Sequence, residues 1–272
     1  MKTSKTISAK YEKLQRILKG MARFVLAYSG GVDSTFLLKA SQETKGCEVL
    51  PVTAVSETYT SKELKEARSF AKGNKLGHVV IETEELKNKD FKDNPPERCY
   101  FCKAELFSKM YAIAKSKNIR WMADGANADD FKDFRPGLKA AGEAGVRHPL
   151  AEAGFTKADV RRLSKKMGLK TWDKPAVACL ASRIPYYNEI TIKKLMTVEK
   201  AEEILKSMGL KEVRVRHYGD TARIEVEPDK FKALLLQKNR DKIVKSFKKF
   251  GFKYITLDIE GFRSGSMNEV LK

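Results

Sequence analysis

Apolar and polar residues fall into two successive patterns along the chain. Residues 23–28 (Arg-Phe-Val-Leu-Ala-Tyr) are a short apolar run and predict a buried strand, followed by a glycine-rich turn and an apolar helix over about 34–42. Residues 49–55 predict a second strand. Thr60 and Glu63 have the spacing of a capping box and open a helix in which Leu64, Ala67 and Ala71 share a face. Residues 78–82 and 119–123 predict two more strands, and residues 103–117 a helix with Leu106, Phe107, Met110 and Ala114 facing inward. Strands alternating with helices argue for a parallel sheet covered on both faces.

The pattern changes after about Arg183. Leu195, Val198, Ala201, Leu205 and Met208 mark an amphipathic helix. Residues 212–216 and 222–227 alternate as strands around a turn. A helix over about 229–250 and a strand over 254–259 complete a small α+β unit. The expected architecture is α/β: a parallel-sheet domain over residues 1–185, then a small α+β domain over 186–272. The stretch 88–96 is polar and proline-bearing and is expected to form a mobile loop.

Composition narrows the classes. The 272 residues are 42% hydrophobic, enough for a packed core. No apolar run is long enough to span a membrane, and the basic N-terminal stretch lacks an apolar signal core, so a cytoplasmic location is expected. Four cysteines in a chain of this length do not make a disulfide scaffold. Fifty-four Lys+Arg against 35 Asp+Glu give a net charge of +19, which favours anionic partners.

Chemistry enters with Ser29-Gly30-Gly31-Val32-Asp33-Ser34, between a predicted strand and helix. Two glycines let backbone N–H groups approach an anion, and a helix N-terminus adds positive potential. Ser29 and Ser34 offer hydroxyls. Asp33 repels phosphate directly but suits a Mg²⁺ that bridges phosphates. The Gly-Lys-Ser/Thr ending of a kinase-type loop is absent. The string resembles the signature of the PP-loop ATP pyrophosphatases, which cleave ATP between the α- and β-phosphates and adenylate an oxygen of the substrate. The resemblance implies adenine near Ala27 and Val55 and pyrophosphate cradled by residues 29–34. A second motif, residues 123–130 (Ala-Asp-Gly-Ala-Asn-Ala-Asp-Asp), follows a predicted strand. Its Gly125 allows close backbone approach, and Asp129 and Asp130 suit a metal or a substrate-positioning role.

Cys99 and Cys102 form a C-x-x-C, Cys179 lies in Ala-Cys-Leu-Ala-Ser-Arg, and Cys47 is read as a small buried hydrophobe. Zinc would need further ligands that the sequence does not offer. Three thiolates suit a [4Fe–4S] cluster with one open iron. The phosphate loop, residues 123–130, 135–150 and 174–186, and the terminal stretch 258–272 together resemble the LarE sulfur transferases of nickel-pincer nucleotide cofactor biosynthesis. That resemblance covers nearly the whole chain. It implies ATP-dependent conversion of pyridinium-3,5-biscarboxylic acid mononucleotide to its bis-thiocarboxylate. Two sulfur sources follow from it: sacrifice of Cys179, which becomes dehydroalanine, or a sulfide on a cluster held by Cys99, Cys102 and Cys179. The cysteine pair favours the cluster, and the 88–96 loop would carry the pair toward Cys179.

Arg214 and Arg216 share one strand face, and Arg263 lies in a Gly-Phe-Arg-Ser-Gly turn. Guanidinium forks suit a phosphate monoester, so these three are expected to hold the mononucleotide phosphate, with Ser182 and Arg183 in the same pocket. Whether Glu202 or Glu203 faces the site stays open. His78, His148 and His217 are scattered and read as structural. The competing readings are a PP-loop tRNA thiolase, a non-enzymatic nucleotide-binding module and an amidating enzyme. No RNA-binding module is recognised in the C-terminal part. The LarE resemblance also implies a homo-oligomer.

Overall fold

The computed structural model describes residues 2–73, 77–132, 135–175, 178–263 and 265–271. The side chains of residues 2–5, 61, 64, 67, 70 and 71 lie outside that description, and with them the expected face of Leu64, Ala67 and Ala71. The chain divides into two compact units: residues 1–85 with 97–177, and residues 86–96 with 178–272.

The first unit is a four-stranded sheet of β1 (Arg23–Ala27), β2 (Glu48–Val55), β3 (Val79–Glu82) and β4 (Trp121–Ala123). All neighbours are parallel and the order is β3-β2-β1-β4. The expected parallel α/β architecture is therefore observed. Its helices are α1 (Lys2–Met21), α2 (Val32–Glu43), α3 (Ser61–Gly73), α4 (Arg98–Ser116), α5 (Pro136–Glu143) and α6 (Lys157–Lys166). One apolar core gathers Leu14 and Leu18 of α1 with Phe24, Phe36 and Phe155; another gathers Val25, Val52, Phe107 and Met110. Helix α1 has no counterpart in the sequence-based reading. Its Ile7, Leu14, Leu18 and Met21 are buried at helical spacing, while Glu12, Lys13, Arg16 and Lys19 are exposed.

The capping box of α3 forms as the spacing requires. Glu63 N donates to Thr60 Oγ1 at 3.3 Å, and Thr60 N donates to Glu63 Oε2 at 3.1 Å. Helix α4 starts at Arg98 rather than 103, so both cysteines of the C-x-x-C lie within its first two turns.

The second unit carries α7 (Ile192–Lys206), β5 (Val213–Tyr218), β6 (Thr221–Val226), α8 (Gln237–Lys249) and β7 (Tyr254–Leu257). Strands β5 and β6 form an antiparallel hairpin, and β7 adds parallel to β6. The single helix expected over 229–250 is broken. Leu236 adopts φ −55°, ψ 136°, an extended conformation that ends the short helix Phe231–Leu234 and precedes α8. The larger segment of this unit starts at Ala178, where the boundary was expected at 185. The physical reason is that the turn following Cys179 hydrogen-bonds to α7 and β5, as described below.

The stretch 88–96 is a fixed strap rather than a mobile loop. Asn88 caps a helical turn, Lys89–Lys92, through a bond from Asp90 N. Phe91 is 2% exposed, and burying such a ring contributes about 2 kcal/mol. Asn94 is fully buried at φ +56°, a conformation asparagine tolerates. Its amide donates to the carbonyls of Ile184 (3.1 Å), Pro185 (2.7 Å) and Asn188 (3.2 Å), and its own carbonyl accepts from Tyr187 N. Asn94→Ala strips the donor from three carbonyls. The expected result is a loss of about 2 kcal/mol of unfolding free energy in urea denaturation, with unchanged expression of an otherwise folded chain.

Candidate active site

The phosphate loop joins the C-terminal end of β1 to α2. Gly30 takes φ +68°, which its lack of a side chain allows. Ser29 Oγ lies 3.1 Å from Ser34 Oγ and accepts from Gly31 N at 3.3 Å, so the loop is closed by its own hydroxyls. Gly31 caps α2 and has no side chain to offer its first N–H groups. Those groups remain for an anion.

The residue-123–130 loop packs directly on this turn. A Cβ on Gly125 would lie 2.8 Å from Ser34 N and 3.1 Å from Ser34 Cα. Gly125 therefore serves close approach between two backbones. Asn127 Nδ2 donates to Asp33 Oδ1 at 3.4 Å. Asp33 Oδ2 also accepts a short charge-assisted bond from Lys157 Nζ. The acidic pair is engaged locally. Asp129 accepts from Lys157 N at 2.9 Å and Lys132 Nζ at 3.0 Å, contacts that hold its carboxyl below the usual range. Asp130 accepts from Asn127 N and pairs with Arg135 at 3.0 Å. Lys174 Nζ reaches the Gly30 carbonyl at 3.2 Å and Glu66 at 2.6 Å. Lys157, Lys174 and Asn127 are thus loop residues that sequence reasoning missed. The signal for Lys157 was the Thr156–Asp159 capping box, which places it in the first turn of α6.

A pocket opens beside the loop, lined by Ala27, Ser29, Ala54, Tyr59, Glu63 and Lys103 among others. Ala27 is where an adenine site was expected; Val55 does not line the pocket, and Tyr59 and Glu63 supply polar groups in its wall. At the end of β4, Asp124 Oδ1 accepts from Ala126 N and meets His148 Nδ1 at 2.7 Å. Burial pushes His148 down, but the hydrogen bond and charge of Asp124, aided by Glu152 and Asp130, outweigh it, so its pKa is raised.

On α4, Cys102 Sγ donates to Glu85 Oε1 at 3.3 Å, and Thr83 Oγ1 donates to the same oxygen at 3.0 Å. Glu85 is 2% exposed, and its other oxygen is buried without a hydrogen-bond partner among the described residues. Cys99 is exposed. Cys47 packs on the first core, and burial, reinforced by Glu48, pushes its thiol up to about 11. That thiol is unreactive at neutral pH. Among the described residues, no group of three or more His, Cys, Asp or Glu side chains is disposed to hold a metal.

In the second unit, Cys179 caps a tight turn, Leu180–Arg183. Arg183 is 1% exposed and grips Glu202 with two bonds, at 2.7 and 3.0 Å. Its remaining nitrogen donates to the carbonyls of Ala178 and Cys179 and to Ser182 Oγ. Ser182 Oγ donates to the Cys179 carbonyl at 2.8 Å. Glu202 faces this network and Glu203 faces solvent, which answers the question the sequence left open. Burial pushes the Glu202 carboxyl up, but Arg183, Lys206 and Arg214 more than offset it, and the net shift is downward.

Arg216 is a buried strut rather than an open fork. It donates twice to Glu225, at 2.8 and 2.7 Å, to the Ser182 carbonyl at 2.7 Å and to Ser266 Oγ at 2.9 Å. Arg214 lies over the Phe262 ring at 5.1 Å, and burial together with Arg183 pushes its guanidinium down to about 10. Arg263 pairs with Glu260 and Glu269, each at 3.1 Å. The 174–186 stretch includes residues 176 and 177, and the terminal turn includes Ser264; these three lie outside the described residues.

No protein-family model matches the chain. It is 41% identical to an uncharacterized protein of Synechocystis over 97% of this chain and 99% of that one. It is 38% identical to the pyridinium-3,5-bisthiocarboxylic acid mononucleotide synthase of Lactiplantibacillus plantarum, over 98% of this chain and 96% of the synthase. An argininosuccinate synthase of Pyrococcus furiosus is 29% identical over 56% of this chain and 40% of its own length. No described helix is long and apolar enough to cross a membrane.

Two outcomes follow from the geometry. Gly125→Ala drives a methyl into the Ser34 backbone, which cannot retreat without opening the loop. Titration with an ATP analogue is expected to show affinity reduced about tenfold or more, against an unchanged circular dichroism spectrum. The His148 imidazole is expected to titrate above 6.5 by NMR, and Asp124→Asn to lower that value, because only Glu152 and Asp130 then oppose burial. The raised folded value means the pair stabilises fully below pH 6.5. That stability is lost as pH rises through the folded pKa.

Proposed function

The chain belongs to the LarE family, and on that premise we propose that it is an ATP-dependent sulfur transferase acting on pyridinium-3,5-biscarboxylic acid mononucleotide. The observation that carries this reading is near-full-length similarity to the named synthase. The phosphate loop supports it independently of the name. A carboxylate is a poor electrophile because its oxygen leaves poorly, and adenylation supplies AMP as the leaving group. The N-terminus of α2 would receive the polyphosphate, Asp33 would hold Mg²⁺, and the Ala27 pocket would receive adenine.

Cys179 is the proposed sulfur centre. A nucleophilic sulfur must be a thiolate or sulfide. The turn that carries Cys179 is tied by Arg183, paired with Glu202, and by Arg216, paired with Glu225. Arg214 and Arg263 are the proposed partners of the substrate phosphate. Arg216 joins them only by exchanging Glu225.

For the sulfur source, the donor chemistry of Cys99, Cys102 and Cys179 suits a [4Fe–4S] cluster, which supplies a transferable sulfide when bound. Cys102 must lose its proton to act as a ligand, and Glu85 Oε1 already accepts that thiol's hydrogen bond. In the sacrificial alternative, Cys179 attacks the acyl-adenylate, AMP leaves, and cleavage of the cysteine C–S bond leaves dehydroalanine.

Anaerobically purified protein with ATP, Mg²⁺ and substrate is expected to release pyrophosphate and form thiocarboxylate with its intact mass unchanged. Cys179→Ala is expected to abolish the thio-product while pyrophosphate release continues. A mass loss of about 34 Da per turnover would assign the sulfur to Cys179 itself and overturn the cluster source. Unchanged thio-product from Cys179→Ala would overturn the whole reading, and RNA bound with steep salt dependence would favour the tRNA thiolase.

A further inference from the structure

Resting on the reading of Asp33 as the Mg²⁺ ligand, we propose that Lys157 is a built-in counter-cation that withholds the Asp33 carboxylate from divalent metal until a polyphosphate draws it away. The metal site would thereby become conditional on nucleotide.

Three observations lead there. First, Lys157 Nζ makes its charge-assisted bond to Asp33 Oδ2, the loop carboxylate itself, across 124 residues of sequence. Among the described residues, the other polar contact of that carboxylate is the long bond from Asn127. An ammonium there stands in for the metal that would bridge phosphates. Second, Lys157 is the first residue of α6, behind the Thr156 cap. A cation at a helix N-terminus opposes the helix dipole, so the helix gives no reason for the ammonium to stay. Its backbone N–H is held by Asp129 at 2.9 Å, which fixes the stem while leaving the four-carbon arm to pivot. Third, the pair is only partly shielded, with Lys157 34% and Asp33 20% exposed. An incoming polyphosphate can reach it without unfolding anything.

The exchange balances in charge. Before nucleotide, one ammonium neutralises one carboxylate. Afterwards the ammonium pairs with a phosphate oxygen, and the carboxylate is released to a divalent cation that the same phosphates share. Lys157 on this account prevents futile metal loading and delivers one positive charge to the leaving pyrophosphate.

Mn²⁺ binding followed by EPR, with and without a non-hydrolysable ATP analogue, tests the exchange on the full chain. Nucleotide-free wild-type protein is expected to bind Mn²⁺ weakly. Lys157→Met is expected to bind it about tenfold more tightly without nucleotide, yet to bind the analogue about tenfold more weakly. Lys157→Arg should restore both values toward wild type, and adding Asp33→Asn to Lys157→Met should remove the gain in Mn²⁺ affinity. Lys157→Gln gives a second neutral variant should the methionine perturb folding. Unchanged or weaker nucleotide-free Mn²⁺ binding in both neutral variants overturns the proposal, as does unchanged analogue affinity. A wild-type protein that fails to bind the analogue at all overturns the phosphate-loop reading as well, which separates the two failures.

Discussion

The position of Cys179 depends on one buried ion pair. Arg183 and Glu202 are each 1% exposed, and either charge alone in such a place would cost several kcal/mol. The arrangement holds because every strong donor and acceptor has work: two bonds join the fork to the carboxylate, and the third nitrogen ties the carbonyls of Ala178 and Cys179. Arg216, balanced by Glu225, takes the Ser182 carbonyl from the other side. Directional bonds therefore act together with the burial of Leu180, Ala181 and Ile184 to set the sulfur-bearing turn.

The phosphate loop is organised by a different device. Strand β1 pairs with both β2 and β4, so the chain reverses its lateral direction between β1 and β4. Ligands of open α/β sheets bind at that reversal, outside the carboxyl ends of the strands. The loops after β1 and β4 meet there, and the missing side chain of Gly125 sets how closely. Lysines from the later part of the unit then supply the charge that the motif lacks. Asp33 and Gly30 receive Lys157 and Lys174 from more than a hundred residues away.

Much of this was legible in the sequence, and the reasons are local. The strand runs at 23–28, 49–55 and 78–82 are short apolar blocks ended by turns, and they appear within a residue or two of their expected places. The Thr60–Glu63 box formed because it involves only neighbours. What stayed hidden was non-local. Nothing in the spacing of Arg216 says that its fork reaches Glu225 diagonally across a hairpin, so a strand face of arginines read as an open anion site. The strap at 88–96 read as a mobile loop because its anchors, the carbonyls of Ile184, Pro185 and Asn188, lie far along the chain. Helix α1 was missed for a different reason: its apolar positions are few and set among lysines and small polar residues, so the stripe is weak against the charge of the segment.

The strap also shapes how the polypeptide is born. Residues 86–96 emerge from the ribosome long before the segment that receives them, and Asn94 waits for a carbonyl 90 positions downstream. Until then Phe91 has no finished core, and closing so long a loop delays its reward. The second unit is therefore assembled only near the end of synthesis, around an early piece of chain. A cut at any single peptide bond cannot yield both units whole, so fragments made at the obvious boundary would each lack something the other holds.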